Sequence, residues 1–356
     1  MSKKRCISYL VYFIILFGII CSGCSKKGDG DEEETVANSN QTIDDQITGD
    51  ETIEEQTIDE QIADEQTTVD ESLQDNSTTE AEDTSEDAEN ESDSPWKLVS
   101  DSSVTTKVDY AGFINESVGI TVGYAGAISY TEDGGKNWSQ SSNVSACRYG
   151  LDFYDESFII SSGNSGVNLL SADKGKSWTN LADFPLKRNG VFNKFLSLID
   201  KNNIYIGSSI SLGVSSDGGL TWKELEVPEE CTKISGMFFL TPEIGYLLNS
   251  DGTLYKTNDS CESWTTQIID LSGEKIADSD MPSVAINFQD EDYGMIIYAT
   301  KSFHICCLRT EDGGSTWETI EMPEVHCLAP YLSRDGQYLT LSSALKRICL
   351  YKLEAE

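Results

Sequence analysis

The sequence predicts an all-β domain, a β-propeller of four-stranded blades over residues 96–356, preceded by a disordered acidic linker. An eight-residue segment occurs five times, at Thr131–Trp138, Ser171–Trp178, Ser215–Trp222, Thr257–Trp264 and Thr310–Trp317. All six Trp residues of the chain follow the linker, at positions 96, 138, 178, 222, 264 and 317. Short apolar runs with turn signals fill the intervals, as expected for many strands in series. One turn and one Trp in roughly 40 to 50 residues is typical of a propeller, in which each repeat is one supersecondary unit.

The first residues predict export and lipid attachment. Residues 1–27 carry five basic residues and no acidic one, and Ile7–Ile20 is a 14-residue, mainly apolar run. A membrane-spanning helix needs about 20 apolar residues, whereas this run has the length found in signal peptides. The following Cys21-Ser22-Gly23-Cys24 resembles the lipobox of bacterial lipoproteins. The resemblance implies a signal peptide at residues 1–23, lipidation of Cys24, and a cell-membrane anchor that leaves the protein on the extracellular side. A short uncleaved anchor and simple secretion are the alternatives.

Residues 24–95 contain the lipidated Cys and the acidic linker. Positions 28–95 hold 26 acidic residues, no Lys or Arg, and no aromatic residue. Such a segment cannot bury enough apolar surface to offset the entropy lost on ordering. We expect a disordered spacer that holds the domain away from the membrane; a tail that binds cations or a partner is the alternative.

The charge of the chain disfavours one class of partner. The formal net charge is −36, and residues 96–356 carry 35 acidic and 20 basic residues. Affinity for nucleic acid depends on clustered Lys and Arg that neutralise phosphates. No such cluster is present in the sequence, so no nucleic-acid partner is expected.

Each blade is predicted to contain four strands, as in the first blade at Tyr110–Ile114, Val118–Gly123, Ala127–Tyr130 and Asn137–Gln140. An aromatic residue marks the first strand of several blades. Phe113, Phe239 and Phe288 are each followed six residues later by Gly.

The recurring segment predicts a tight turn between the third and fourth strands. Its hydroxyl residue and its Asp can bond the turn backbone, its Gly supplies positive φ, and its Trp packs beneath the turn. These turns lie on one rim, spread around the circumference, so their Asp residues cannot converge on a substrate. We assign them a structural role and predict no catalytic residue among them. The residues with this role are Thr131, Asp133, Gly135, Trp138, Ser171, Asp173, Gly175, Trp178, Ser215, Asp217, Gly219, Trp222, Thr257, Asp259, Trp264, Thr310, Asp312, Gly314 and Trp317.

The segment Ser/Thr-x-Asp-x-Gly-x-Thr/Ser-Trp resembles the Asp-box, or BNR repeat, of bacterial sialidases, sortilin-like receptors and photosystem II assembly-factor propellers. The resemblance covers about 260 residues in five in-register copies. The fourth copy departs from it, because Ser260-Cys261 replaces the two glycines. We therefore expect an altered turn in that copy.

The two ends of the domain predict how the ring closes. Trp96-Lys97-Leu98-Val99 has the pattern of a strand that follows a box, although no box precedes it. The C-terminal residues supply three strands without a closing Trp, near Cys327–Leu332, Tyr338–Ser342 and Arg347–Leu353. Joining the two ends completes a blade and removes open sheet edges. Six blades are predicted, with seven as the runner-up, in a chain expected to be monomeric.

The sequence gives little support for catalysis or metal binding. A sialidase needs three arginines that bind a carboxylate, together with Tyr–Glu and a further acid, and the domain has only five arginines, at positions 148, 188, 309, 334 and 347. Glycoside hydrolysis nevertheless remains the alternative function. The only histidines, His304 and His326, are not at ligand spacing with Cys or carboxylates. No metal and no cofactor are expected.

Seven cysteines lie in the domain, at positions 147, 231, 261, 306, 307, 327 and 349. An exported protein can oxidise them, and an odd number leaves at least one unpaired. The topology permits Cys231 with Cys261, and Cys306 or Cys307 with Cys327 or Cys349. Buried small apolar side chains are the equally weighted alternative.

Candidate partner-binding residues lie on the face opposite the box turns, which the resemblance implies is the ligand face. They are Tyr124, Arg148, Tyr149, Lys187 and Arg188. Positive charge on an acidic domain can steer an acidic peptide or a carboxylated ligand, although ordinary solvated surface is the alternative. On the same face, 24 residues separate Trp264 from Phe288, against 15 after Trp138, which predicts a long loop around residues 268–282. Long loops on regular scaffolds are often functional.

The sequence therefore predicts a membrane-anchored extracellular propeller that binds or helps assemble a protein or cell-wall component without catalysis. No photosynthetic role follows, because nothing in the sequence indicates a photosystem partner.

Overall fold

The computed structural model describes residues 94–123, 126–143, 148–184, 192–271, 274–343 and 346–354. The predicted signal peptide, Cys24 and residues 25–93 of the linker lie outside the described residues. Within the described ranges the chain forms 24 strands and a short 3-10 helix at Asn164–Gly166. None of the helices there has the length and apolarity needed to cross a membrane.

The strands form six four-stranded antiparallel sheets, so the prediction of a six-bladed β-propeller is confirmed. Blade 1 consists of β2 (Tyr110–Phe113), β3 (Gly119–Val122), β4 (Ala127–Thr131) and β5 (Ser139–Asn143). Blade 2 consists of β6 (Arg148–Asp155), β7 (Phe158–Gly163), β8 (Asn168–Ser171) and β9 (Thr179–Asn180). Blade 3 consists of β10 (Phe195–Leu198), β11 (Ile204–Gly207), β12 (Leu212–Ser215) and β13 (Lys223–Leu225).

Blade 4 consists of β14 (Ile234–Phe239), β15 (Gly245–Asn249), β16 (Thr253–Thr257) and β17 (Thr265–Ile268). Blade 5 consists of β18 (Val284–Phe288), β19 (Gly294–Ala299), β20 (Ile305–Thr310) and β21 (Glu318–Ile320). Blade 6 joins β22 (Ala329–Leu332), β23 (Tyr338–Ser342) and β24 (Arg347–Leu353) to β1 (Trp96–Ser103).

The ring closes as the two ends of the sequence predict. The first strand β1 pairs antiparallel with the last strand β24, from Trp96 opposite Leu353 to Ser103 opposite Arg347. Arg347 also donates to the Asp101 carboxylate, with Nη2–Oδ2 at 2.7 Å. The closing blade therefore contains residues from both ends of the domain.

The Phe–Gly spacing has a steric cause. In blades 1, 4 and 5 the Gly begins the second strand opposite the Phe that ends the first. A Cβ on Gly119, Gly245 or Gly294 would lie only 2.6, 2.2 or 2.5 Å from that ring. The absent side chain lets the ring lie flat across the sheet and reach the neighbouring blade.

These rings build the core between the blades. Tyr205 stacks on Phe239 with centroids 3.6 Å apart, and Tyr246 stacks on Phe288 at 3.8 Å. Each pair joins the second strand of one blade to the first strand of the next. Residues of the second strands are buried along their whole length in blades 1 to 5. Burial of such apolar surface is the main favourable term in folding.

Antiparallel order places alternate turns on opposite sides of the ring. The side with the first-to-second-strand turns and the recurring box turns is here called the box face. The opposite side is called the loop face, and it carries the second-to-third-strand loops and the connections between blades. In each of blades 1 to 5, a backbone N–H of the box turn donates to the neighbouring first turn, as in Gly134 N to Ser117 O at 2.9 Å.

Candidate functional site

The five box turns share one network of hydrogen bonds. In blade 3, the Ser215 hydroxyl donates to Asp217 Oδ1 at 2.8 Å and accepts from Gly219 N at 2.8 Å. Asp217 also accepts from Thr221 N and Thr221 Oγ1, at 2.9 and 2.6 Å. The bond from the Thr221 hydroxyl is the main reason why the pKa of Asp217 falls to about 2. These carboxylates are fully used in holding their own turns.

The fourth box turn keeps the same geometry, so the expectation of an altered turn is wrong. Thr257 donates to Asp259 at 2.8 Å, and Cys261 N donates back to the Thr257 hydroxyl at 3.0 Å. Ser260 and Cys261 adopt φ of 61° and 72°, in the left-handed region. Glycine occupies both positions in blades 1, 3 and 5, whereas blade 2 has Lys174 with φ of 62° at the first of them. The hydroxyl–carboxylate network holds the turn although its backbone is strained.

Tyr124, Lys187 and Arg188 lie outside the described residues, and Arg148 begins β6 but its side chain lies outside the described part as well. Tyr149 stacks on Phe192 with centroids 4.7 Å apart on the loop face. The predicted basic cluster therefore stays a prediction.

The ring axis contains a narrow polar channel between the first strands of the blades. Its open space is about 50 Å³. The Asp152 carboxylate faces it, accepting from Leu198 N at 2.9 Å and from Tyr331 Oη at 3.3 Å. Burial among protein atoms raises the pKa of Asp152 to about 6, although these hydrogen bonds and Arg334 oppose the rise. The channel is thus small, and it holds a carboxyl group with a raised pKa.

Arg334 lies at the box-face mouth of this channel. Its Nη2 donates to the carbonyl oxygens of Phe239 and Leu240, at 3.3 and 3.2 Å, and its guanidinium lies over the Phe238 ring at 5.3 Å. Burial lowers the pKa of Arg334, and Asp152 is the first of the groups that oppose this change. Arg334 comes from the first turn of blade 6, and its bonds to blade 4 join two blades across the axis.

The long loop predicted after blade 4 covers the loop-face mouth of the channel. We call Ile269–Ser283 the strap; residues 272–273 within it lie outside the described part of the chain. Its first half is fixed to blade 5, where Ala277 N donates to Ala299 O at 2.8 Å and Ile276 bridges Thr300. Its second half reaches the axis, where Pro282 lines the channel.

Two charged side chains from outside blades 4 and 5 interact with the strap. Lys194 Nζ, from blade 3, donates to Ser279 O at 3.0 Å. The pKa of Lys194 is lowered to about 8, mainly by burial and in part by the nearby Lys233. Asp109, which precedes blade 1, has its pKa raised to about 6, mainly by burial and in part by Asp280 of the strap.

Sequence reasoning missed these axial residues. Asp152 was visible as a single acid inside an otherwise apolar strand, Tyr149-Gly-Leu-Asp-Phe, and that was a usable signal. Lys194 and Arg334 gave none, because each is an isolated basic residue in a connection or turn. Their meeting depends on ring closure rather than on spacing.

The arginines of the described residues do not converge on one centre. Arg309 Nε contacts Glu318 Oε1 at 2.5 Å across the outer strands of blade 5, and Arg347 is paired with Asp101 in blade 6. Of the three arginines whose side chains the structure describes, Arg334 alone lies at the axis. Three arginines arranged around one carboxylate, as the glycosidase alternative requires, are not formed by Arg309, Arg334 and Arg347.

The structure brings the two histidines together, although they are 22 residues apart in the sequence. Their ring centroids lie 5.7 Å apart on neighbouring blades of the loop face. No group of three or more His, Cys, Asp and Glu among the residues that the structure describes could hold a metal ion.

The described cysteines are free thiols, and the disulfide pairs that the topology permits are not formed in the structure. Cys231 and Cys261 are buried in one cluster between blades 3 and 4, and Cys307, Cys327 and Cys349 are buried in another. Burial raises the pKa of Cys231 to about 12, which keeps the thiol protonated. They pack as small apolar side chains, which was the stated alternative. Cys147 lies outside the described residues.

Comparison with known proteins gives the following similarities. Residues 215–333 match the family model of photosynthesis system II assembly factor YCF48. No curated protein matches the chain in sequence. A solved structure described as YCF48 bound to D1 peptide is 15% identical, covers 73% of this chain and 96% of that one, and has a TM-score of 0.45. YCF48 from Cyanidioschyzon merolae is 18% identical, covers 73% and 98%, and has a TM-score of 0.42.

A solved structure of the RRP9 WD40 repeats is 11% identical to this chain. The match covers 73% of this chain and 97% of that one, with a TM-score of 0.53. At this identity the likeness concerns the propeller fold alone. The resemblance stated from the repeats is confirmed at the level of a β-propeller similar to the photosystem II assembly factor, with the sequence match over residues 215–333.

Proposed function

We propose that this chain is a non-catalytic protein-binding propeller that assists assembly at the outer side of the cell membrane, held there by lipid on Cys24. The loop face is the proposed binding surface, and a cell-wall component is the other partner class to be tested. The observation that carries the proposal is the difference in how the two faces use their polar groups.

On the box face, the polar side chains of the recurring turns are satisfied by their own turns. Each box Asp accepts bonds from the hydroxyl two residues before it and from the residue four positions after it, as Asp312 does from Thr310 and Thr316. Little hydrogen-bonding capacity remains for a partner. A ligand that bound these carboxylates would have to break bonds that hold the scaffold.

On the loop face, charged groups surround a strap that the repeat does not dictate. Asp280 of the strap is exposed, and Asp278 is paired with Lys233 of blade 4. Lys275 and Lys301 are exposed on the same face. A mixed charged surface of this kind fits a protein partner of complementary charge, for which electrostatics supply specificity and association rate. Non-repeating loops on a rigid scaffold are the usual position of binding residues.

Two further observations support the proposal. The family matched over residues 215–333 is described as an assembly factor, and such a factor works by contacting other proteins. The channel, with about 50 Å³ of open space, is far smaller than the several hundred Å³ usual for a small-molecule site. A protein ligand on the surface therefore fits the geometry better than a substrate inside it.

Cross-linking and capture from intact cells test the face. The variant Lys275→Glu changes the loop face, and Lys187→Glu/Arg188→Glu changes two residues that the sequence predicts to lie there; Lys136→Glu, on an exposed residue of the first box turn, is the matched control. We expect the loop-face variants to lose one reproducible cross-linked partner that the wild type and the control retain. Retention of that partner by both loop-face variants, with loss in the control, would contradict the choice of face.

Two simpler measurements address the remaining parts. Metabolic labelling with a fatty-acid analogue should label the wild type and not Cys24→Ser, with the label in the membrane fraction. A panel of fluorogenic glycosides should stay uncleaved by the purified protein, and turnover of any of them that depends on Asp152 would favour the glycosidase alternative.

A further inference from the structure

The chain has only two histidines, and the fold places them side by side. His304 immediately precedes β20 of blade 5, and His326 lies in the connection to blade 6. Their ring centroids are 5.7 Å apart, with 30° between the ring planes, and both side chains are exposed. Two imidazoles that share one ion at a metal–nitrogen distance of about 2.1 Å have their ring centres about 5 to 6 Å apart. The observed separation matches this value.

The surroundings of His304 set which of its nitrogens is available. The Ser302 hydroxyl donates to Glu274 Oε2 at 3.0 Å and shares a hydrogen bond with Thr300 Oγ1 at 2.9 Å. The Ser302 oxygen lies 3.5 Å from His304 Nδ1. A proton on Nδ1 that faces this oxygen leaves the lone pair of Nε2 for a metal ion. A metal-binding histidine commonly has its second nitrogen oriented in this way, through an outer partner that ends in a carboxylate.

We propose that His304 and His326 form a two-imidazole site for a divalent transition metal, with water completing the coordination. Neutral imidazole favours Zn²⁺, Ni²⁺ and Cu²⁺ over Mg²⁺ or Ca²⁺. Glu274 and Ser302 are positioning residues that orient His304 and do not bind the ion. With only two protein ligands, the site is weaker than a closed four-ligand structural zinc site.

The site connects blade 5, the connection to blade 6 and the strap. Glu274 belongs to the strap, and its carboxylate reaches His304 through Ser302. Metal binding therefore tightens the attachment of the strap to blade 5. This inference does not depend on the proposed protein-binding function.

Calorimetric titration of the full chain with Zn²⁺ tests the site. We expect one Zn²⁺ to bind the wild type above the weak background of the acidic linker, which is identical in all variants. His304→Asn and His326→Asn should each abolish this event. Ser302→Ala and Glu274→Gln should weaken it about 10- to 100-fold, while Glu324→Gln, a change at an exposed carboxylate two residues from His326, should leave it unchanged.

Proton NMR of the imidazole rings gives a second readout. Both histidine signals should shift together and reach their end point at one equivalent of Zn²⁺. Binding that survives in the His304→Asn/His326→Asn double variant, or that is lost in only one of the two single variants, would overturn the two-imidazole site. So would an absence of Zn²⁺ binding in the wild type, and unchanged thermal unfolding of each metal-free variant establishes that its fold is intact.

Discussion

The two faces of the propeller treat their charged side chains in opposite ways. On the box face, the carboxyl pKa of Asp217 is lowered to about 2 by hydrogen bonds from its own turn. On the loop face, burial raises the pKa of Asp109 to about 6 and lowers that of Lys194 to about 8. The ionised form is stabilised in the box turns and disfavoured for these two groups beside the strap, whereas the exposed Asp278 of the strap has its pKa lowered by Lys233.

The contrast separates residues that build the fold from residues free to serve another purpose. A charge that its neighbours stabilise contributes to the scaffold. A charge held against burial lowers stability, and shifted pKa values of this kind are enriched at functional sites. Four experiments test whether the contrast holds.

The largest effect is expected from removing one box hydroxyl. Ser215→Ala deletes the donor to Asp217 and leaves the Gly219 N–H without an acceptor. Leaving a buried donor unpaired, together with the lost bond to a charged group, should cost about 3 kcal/mol of unfolding free energy. Denaturant unfolding measures the loss. A cost as small as that of Ser279→Ala on the strap would remove the distinction between the faces.

The second effect concerns Lys194 and depends on pH. The folded-state pKa of Lys194, about 8, is lower than its ordinary value. The charged form therefore destabilises the fold below pH 8, and this penalty is relieved as the pH rises from about 8 to 10.5. Relative to Lys194→Met, the wild type should gain about 2 kcal/mol over that range, since the side chain keeps some contact with solvent. If the unfolding free energies of the two proteins changed equally with pH, burial would not disfavour the charged form of Lys194.

The third effect has the same origin at acidic pH. Asp109 has a raised folded-state pKa of about 6, so the folded state binds more protons than the unfolded state between about pH 4 and 6. The wild type should lose about 1.5 kcal/mol relative to Asp109→Asn as the pH rises through this window. Thermal unfolding at intervals of half a pH unit measures the difference, with Asp183→Asn as the control.

The smallest effect comes from the strained fourth box turn. Ser260 has φ of 61°, where the equivalent residue of blade 3, Gly218, has φ of 73°. Ser260→Gly should raise stability by up to about 1 kcal/mol, and Gly218→Ser should lower it by a similar amount. If both substitutions were neutral, the hydrogen-bond network alone would determine the turn, without a contribution from backbone preference.

The sequence predicted the parts of the molecule that local chemistry determines. The recurring Asp and Trp gave the turns, the Phe–Gly spacing gave the first two strands of a blade, and Trp96 without a box gave the closure. Each signal lies within one blade or at a chain end. The length after Trp264 also located the strap, because an insertion is visible against a regular period.

The site could be predicted only in part, because its groups come together through the ring. Asp152 and Arg334 belong to blades 2 and 6, and His304 and His326 meet across two blades. No spacing rule relates such positions. The prediction of an altered fourth box turn was wrong for a different reason. Glycines favour the turn, but the retained Thr257 and Asp259 are sufficient to hold it.

The pairing of β1 with β24 has a consequence for synthesis of the chain. Trp96 precedes its partner Leu353 by nearly the whole domain, so a growing chain can complete blades 1 to 5 while blade 6 has only its outermost strand, β1. The inner three strands of blade 6 are synthesised last, and ring closure is the final event. Contacts between such distant residues are the slow ones in folding. Until closure, the long strand β1 stays unpaired, which makes a shortened C-terminus more prone to aggregation than any change on the loop face.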